Sequence, residues 1–334
     1  MTTLNKIITC ALFAFFVTFN MGSKAQIRDI DTGSEQALLD TIVVRPQPVL
    51  FRAEKDGKVL WLLVVQRPVP KKMVWNRVEI DNLVSQSQEI LLEPEVVTSF
   101  DVGVFGMISL AYKSRGLRSN PGGKSLKQIL PASQHNRWLR QTQRFGARAS
   151  AYEKLRPFFA GQELYAIALE SYGLTHEDAA TPGIRSIASQ KKIKVSTPRL
   201  NFKISDWKRA SKMMAEEHLS EDICFDLMLR RIESLPKSAI EQSRAWAAGD
   251  LESFRNSDTG QWHARCANLL YSSKTAAENG GASIDDQLKR AWVTRVEAAM
   301  SQNKVTFAIL QADVALSHDG YLNALKARGI SVDE

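Results

Sequence analysis

Residues 48–65 read PVLFRAEKDGKVLWLLVV. Two apolar-rich runs, Val49 to Glu54 and Val59 to Val65, flank Lys55-Asp56-Gly57-Lys58. Asp-Gly is the dipeptide that a two-residue primed turn prefers, because both of its central residues need φ > 0. The stretch therefore predicts a β-hairpin. Its second arm, Trp61-Leu62-Leu63-Val64-Val65, shows no polar alternation, which is the pattern of a strand covered on both faces.

Working outward, the spacing predicts a helix over Val74 to Gln86, apolar at Val74, Val78, Leu83 and Val84. A short buried strand follows at Ile90-Leu91-Leu92 and runs into Glu93-Pro94-Glu95, where the proline implies a strand-exit turn. From Ser125 to about Ser171 the pattern is mainly helical, with Ser125 as N-cap and breaks at Pro131 and Pro157. Ile193-Lys194-Val195 reads as a strand. Asp206 to Ala247 returns to helical periodicity, broken at Pro236, and Ser283 to Met300 is one more amphipathic helix. Val305 to Leu310 is an apolar strand, and Gly320 to Arg328 a short helix before Ile330-Ser331-Val332. Strands lie at both ends of the chain with helices between. The expected fold is α/β (α+β), with a central mixed sheet that joins the N-terminal hairpin strands to a C-terminal strand, flanked by a large, mostly helical middle region.

The first 25 residues have the three parts of a secretory leader: a basic start ending at Lys6, an apolar stretch from Ile7 to about Phe19, and a small-residue exit at Ser23-Lys24-Ala25. A membrane anchor needs about 20 apolar residues. This run is shorter and is interrupted by Thr18 and Asn20, and no later stretch is longer; Val102 to Tyr112 is the best of them. Cys10 sits inside the apolar region rather than at its exit, which argues against a lipid anchor. The reading is a signal peptide at 1–25, a loose lead-in at 26–47 and a single domain at 48–334. The expected location is the periplasm or the exterior, after cleavage near Ala25, for a protein not integral to the membrane.

Loss of Lys6 and Lys24 with the leader lowers the net charge of the 334-residue chain from +8 to +6. The excess is uneven: no acidic residue occurs between Asp101 and Glu153, whereas Arg137, Arg140 and Arg144 with six other cations do. Such a block is either a solvated helix face or a patch for an anionic glycan or lipid. Export argues against nucleic acid as a partner. Cys224 and Cys266 remain after cleavage, an even pair in an oxidising compartment, and form either one disulfide or two buried thiols.

At the hairpin, PVLFRAEKDGKVLWLLVVQRPVPKKM resembles the opening of the TraB/GumN family, exported or membrane-linked proteins to which metal-dependent hydrolysis is ascribed. The resemblance continues through EILLEPEV, where Glu93 matches an acidic strand-end residue, LRPFFAGQELYAIALESYGL and TPGIRSIASQKKIKV. It then reaches RAWAAGDLESF, with Trp246, Gly249 and Asp250 at the Trp-x-x-Gly-Asp positions, and FAILQADVALSHDGYLNALKARGISV. Where Gly-x-x-His is usual this chain has Val64, Val65, Gln66 and Arg67. Where Gly-x-Gly-His is usual it has Gln311, Ala312, Asp313 and Val314. A Gly-Val/Ile-Asp pattern is matched by Gly183-Ile184-Arg185, and an Arg-Asn pair ahead of a helical Trp by Leu288 and Lys289 before Trp292.

Two histidines and a carboxylate at strand ends make sense as a divalent-metal site that activates water. Here one histidine position holds a permanent cation, Arg67, and the other an apolar side chain, Val314, which has no lone pair. The resemblance thus implies the fold of a hydrolase with no cofactor, and a binding or scaffolding role toward an envelope protein, a peptide or an anionic glycan or lipid. The alternative is a metal-dependent peptide or ester hydrolase with a rearranged site built from Glu93, Asp313 and His318. A second alternative is a binder of anionic envelope components through Arg137, Arg140 and Arg144. Asn120-Pro121-Gly122-Gly123-Lys124-Ser125 ends like a phosphate loop, but Arg118 stands where its first glycine belongs. No Gly-x-Ser-x-Gly elbow occurs.

Overall fold

The structure is a computed structural model that describes residues 43–44, 48–100, 116, 118–204, 206, 209, 212, 221–255, 284–317 and 319–333. The expected leader, the apolar run from Val102 to Tyr112, Cys266, His218, His263 and His318 lie outside the described residues. In chain order the first elements are β1 (Val43–Val44), β2 (Leu50–Lys55), β3 (Lys58–Val65), β4 (Val69–Pro70), β5 (Val74–Trp75), α1 (Val78–Gln86), β6 (Glu89–Leu91) and β7 (Glu95–Phe100). The helical middle follows, with α2 (Leu126–Ile129), α3 (Ala132–Arg144), α4 (Pro157–Ser171), the short β8 (Leu174–Thr175) and α5 (Thr181–Lys191). Then come β9 (Lys194–Ser196), β10 (Arg199–Ile204), α6 (Glu221–Ser234), α7 (Lys237–Ala248), α8 (Leu251–Arg255) and α9 (Ile284–Gln302). The chain closes with β11 (Val305–Gln311), α10 (Ala312–Ala315), α11 (Tyr321–Lys326) and β12 (Ser331–Asp333).

The hairpin forms as its sequence dictates. Lys55 pairs with Lys58, and the two residues between them, Asp56 and Gly57, have φ of 51° and 70°, the doubly positive combination of a type I′ turn. Strand β3 then sits inside a six-stranded sheet ordered β12-β2-β3-β11-β6-β9. β3, β11, β6 and β9 are parallel, whereas β2 and β12 are antiparallel additions at one side. Leu60, Leu62, Leu63, Val64 and Val65 are fully buried, as an apolar run with no polar face requires. The sheet is therefore mixed and joins both ends of the chain. Helix α9 packs against β3 and β11, and α1 packs against α5 and β11.

A second core lies among the helices, where Trp138, Phe145, Leu164, Phe225, Leu229 and Ile232 pack together. Both prolines expected to break this region do so: Pro131 caps α3, and Pro157 occupies its favoured place in the first turn of α4. At Ser125 the backbone N–H donates to Gln128 Oε1 at 2.8 Å, one half of a capping box.

Two local expectations need correction. The helix expected from Val74 begins only at Val78, because Val74 and Trp75 instead pair in parallel with Val43 and Val44. Glu93-Pro94-Glu95 is not an exit turn: the chain resumes at once as β7, in register with β10 from Glu95↔Arg199 to Phe100↔Ile204. β6 does leave the central sheet at Leu91, and after Pro94 the chain pairs with β10 in a separate two-stranded sheet. Leu92 and Glu95 still donate to the Ser196 and Pro198 carbonyls, each at 2.9 Å.

Candidate functional site

Parallel strands end together, and their carboxyl ends leave a crevice in which side chains from distant parts of the chain meet. Arg67 lies two residues beyond β3, Glu93 two beyond β6, Gln311 ends β11, and Asp313 is in α10. These four converge. Arg67 Nη1 is 3.1 Å from Glu93 Oε2 and donates to Gln311 Oε1 at 3.2 Å. Arg67 Nη2 donates to Asp178 Oδ2 at 3.1 Å. The guanidinium thus sits as a three-way clamp, a geometry suited to its planar fork.

Asp178 comes to the clamp through the small antiparallel pair β4–β8, which matches Val69 to Thr175. Its other oxygen, Oδ1, accepts from the backbone N–H groups of Ala180 (2.9 Å) and Thr181 (2.6 Å) at the start of α5. One buried carboxylate therefore both caps a helix and anchors the clamp. The residue escaped sequence reading, although a helix-start signal lay in Asp178-Ala179-Ala180-Thr181-Pro182. Around the clamp, Arg231 Nη2 donates to the Arg67 carbonyl at 3.5 Å and its guanidinium lies 4.9 Å from the Tyr165 ring centre. The His176 ring meets Tyr165 edge to face at 5.1 Å.

Electrostatics follow from this crowding. Burial opposes the charge of Arg67, but the Glu93 and Asp178 carboxylates more than offset it and hold its pKa above the usual arginine value. Burial pushes the Glu93 carboxyl up; Arg67 opposes this, while Asp178 and Asp313 add repulsion. Tyr321 is pushed up by burial and by Asp285, Glu93 and Asp313, so its ring belongs to the same neighbourhood. Partial removal from water, then the Arg231 and Arg67 charges, push His176 down to about 4, although the residue as a whole is exposed at the surface.

Among the described residues, a divalent ion does not fit this donor set. The Arg67 position presents only N–H donors, which face the oxygens that an ion would need. Val314 packs against the sheet core. Asp313 instead accepts from the Val314 N–H at 2.9 Å and from Gln311 Nε2 at 3.4 Å. Beside the clamp opens a cleft of about 210 Å³, whose polar walls are Arg67, Glu93, Glu95, Thr181, Arg185 and Thr197.

Several other residues singled out from sequence lie elsewhere. Arg137 is turned onto α6, donating to both Glu233 oxygens at 3.0 and 2.7 Å and pairing with Asp226. Arg144 stacks over Phe145 and Tyr172, and Arg140 is exposed. Cys224 is buried and disulfide-bonded. Trp246, Gly249 and Asp250 form a structural joint: the Trp246 Nε1–H donates to the Val64 carbonyl at 2.5 Å. Gly249 ends α7 with φ 67°, and Asp250 Oδ1 accepts from Ser253 N–H at 3.0 Å to start α8.

A family model described as the TraB/PrgY/gumN family matches residues 49–334. No curated protein and no solved structure matches the chain.

Proposed function

Because the chain belongs to the TraB/PrgY/gumN family, we propose that it is a non-catalytic member, exported to the cell envelope, whose strand-end crevice binds rather than hydrolyses. The observation that carries this reading is the Arg67 clamp. A guanidinium held by Glu93, Asp178 and Gln311 supplies as a fixed part of the chain the positive charge that a metal ion would bring. Unlike an ion, it offers no open coordination position and cannot lower the pKa of a bound water. The leader-like first 25 residues support export, and no described helix is long and apolar enough to cross a membrane.

One observation favours a second reading, a peptide or ester hydrolase using Glu93 and Asp313. These carboxylates are close enough to repel, and Glu93 is pushed up, the direction a general acid needs. Against it, Glu93 Oε2 is already engaged by Arg67. Assay of the purified protein against peptide and ester panels, with and without Zn²⁺ or Mn²⁺, separates the two. The binding reading expects no turnover above that of Glu93→Gln. Metal-dependent turnover abolished by Glu93→Gln and by Asp313→Asn establishes the hydrolase.

A further inference from the structure

The cleft beside the clamp has polar demands that the fold leaves unmet. Glu95 is taken by Arg199, Nε to Oε1 at 2.5 Å, and both terminal nitrogens of Arg67 face Glu93, Asp178 and Gln311. Two atoms remain: Arg67 Nε, a donor, and Glu93 Oε1, an acceptor, are buried without a hydrogen-bond partner among the described residues. Buried polar atoms without partners are uncommon, because each forfeits its hydration. Here both belong to residues that line one cleft.

The pairing of charges along the same walls is also uneven. Arg67 faces two carboxylates, one negative charge more than it can offset, and Glu95 pairs with Arg199, whereas Arg185, one turn into α5, is exposed and has no ion pair among the described residues. Thr181 and Thr197 add hydroxyls, and Leu92, Pro94 and Ile309 an apolar floor. At about 210 Å³ the cleft is smaller than the ~300–1,000 Å³ that takes a drug-sized ligand. Its occupant therefore needs an anionic group for Arg185 and Arg67 Nε, a hydrogen-bond donor for Glu93 Oε1, and little else.

We infer that the cleft binds a compact carboxylate carrying a hydroxyl or ammonium donor close to the carboxyl group, that is, a small hydroxy acid or amino acid. The carboxylate lies against Arg185 with the threonine hydroxyls, and the donor reaches Glu93 Oε1. A simple carboxylate satisfies only half of the site. The inference rests on reading this crevice as a binding site that works without a metal.

The test is calorimetric titration of the full chain, in EDTA, with L-serine, glycolate and acetate as probes. Serine or glycolate should bind saturably and about tenfold or more tighter than acetate, the scale of one hydrogen bond to a charged group. Arg185→Gln, a change at an exposed position, should weaken that probe by about tenfold or more, and Thr197→Val should weaken it less. Whichever of serine and glycolate binds better identifies the donor facing Glu93 as ammonium or hydroxyl. Absence of saturable binding by both, or equal binding by Arg185→Gln and the unaltered chain, overturns the inference. Because EDTA is present throughout, such a failure leaves the metal-free reading standing; that reading is judged by the turnover assays and by metal titration.

Discussion

Arg67 Nη1 stands 3.1 Å from Glu93 Oε2, and that pair holds the ends of β3 and β6 together across the sheet's crevice. Both side chains are about a quarter exposed, whereas the third partner, Asp178, is only 3% exposed. Removing the guanidinium leaves the buried Asp178 carboxylate without a counter-charge, held only by the Ala180 and Thr181 N–H groups. Arg67→Met is therefore expected to destabilise the protein by roughly 3 kcal/mol, the low end of the ~3–5 kcal/mol seen when a buried pair loses one member. Arg67→Lys should fall between, since it keeps the charge but loses the fork. Urea unfolding measures both, and an unchanged midpoint for Arg67→Met would show that the clamp contributes nothing.

The His176 shift predicts one contribution to acid sensitivity. The His176 imidazole titrates near 4 in the fold against an ordinary value near 6.5. Between those values the unfolded chain binds a proton that the folded chain refuses, so stability falls as pH drops through the window. Glu93 works the other way. Its carboxyl is pushed up, so its contribution is present in full below the ordinary glutamate value and is lost as pH rises through the folded one. In His176→Asn the loss of stability between pH 7 and pH 4.5 should shrink. An equal loss in the variant would place the acid sensitivity elsewhere.

Two glycines should respond differently to alanine. At Gly320 a Cβ would lie 2.7 Å from the Ala315 and Ser317 carbonyl oxygens and 2.8 Å from that of Val314. Its φ of −75° is ordinary, so the requirement is space at the packed start of α11. At Gly57 the surroundings are open but φ is +70°. Gly320→Ala should cost about 2–3 kcal/mol through overpacking of backbone, and Gly57→Ala about 1–2 kcal/mol through left-handed strain. Thermal melts of the two variants check the order.

Much of the sheet was legible because its signals are local. Asp56-Gly57 specifies a turn, Trp61 to Val65 a strand covered on both faces, and Val305 to Leu310 another. The errors came where pairing overrode local pattern. Val74 has helical spacing with Val78 but, with Trp75, joins Val43 and Val44, and Glu95 opens a new strand because Arg199 to Ile204 lies alongside. At the site, Arg67 and Glu93 were visible as strand-end residues. Asp178 was not visible as their partner, because it is 111 residues from Arg67 and only the β4–β8 pairing brings the two together. The sequence also showed Arg137 as part of a basic block with no hint that Glu233 and Asp226 face it.

Export is open to a direct check. If the first 25 residues act as a leader, the mature protein begins at Gln26, and N-terminal sequencing or intact mass of protein recovered from the envelope or medium should find that end. A mature chain that retains Met1 would contradict the assignment.

In the binding reading, Arg67 takes the place of an ion. Titration of Zn²⁺ and Mn²⁺ into the purified protein near pH 7, followed by calorimetry and elemental analysis, addresses this most directly. The clamp predicts no saturable, stoichiometric binding of either ion. One equivalent of metal held at micromolar affinity or tighter, and lost in Glu93→Gln, would contradict it and return the crevice to metal chemistry.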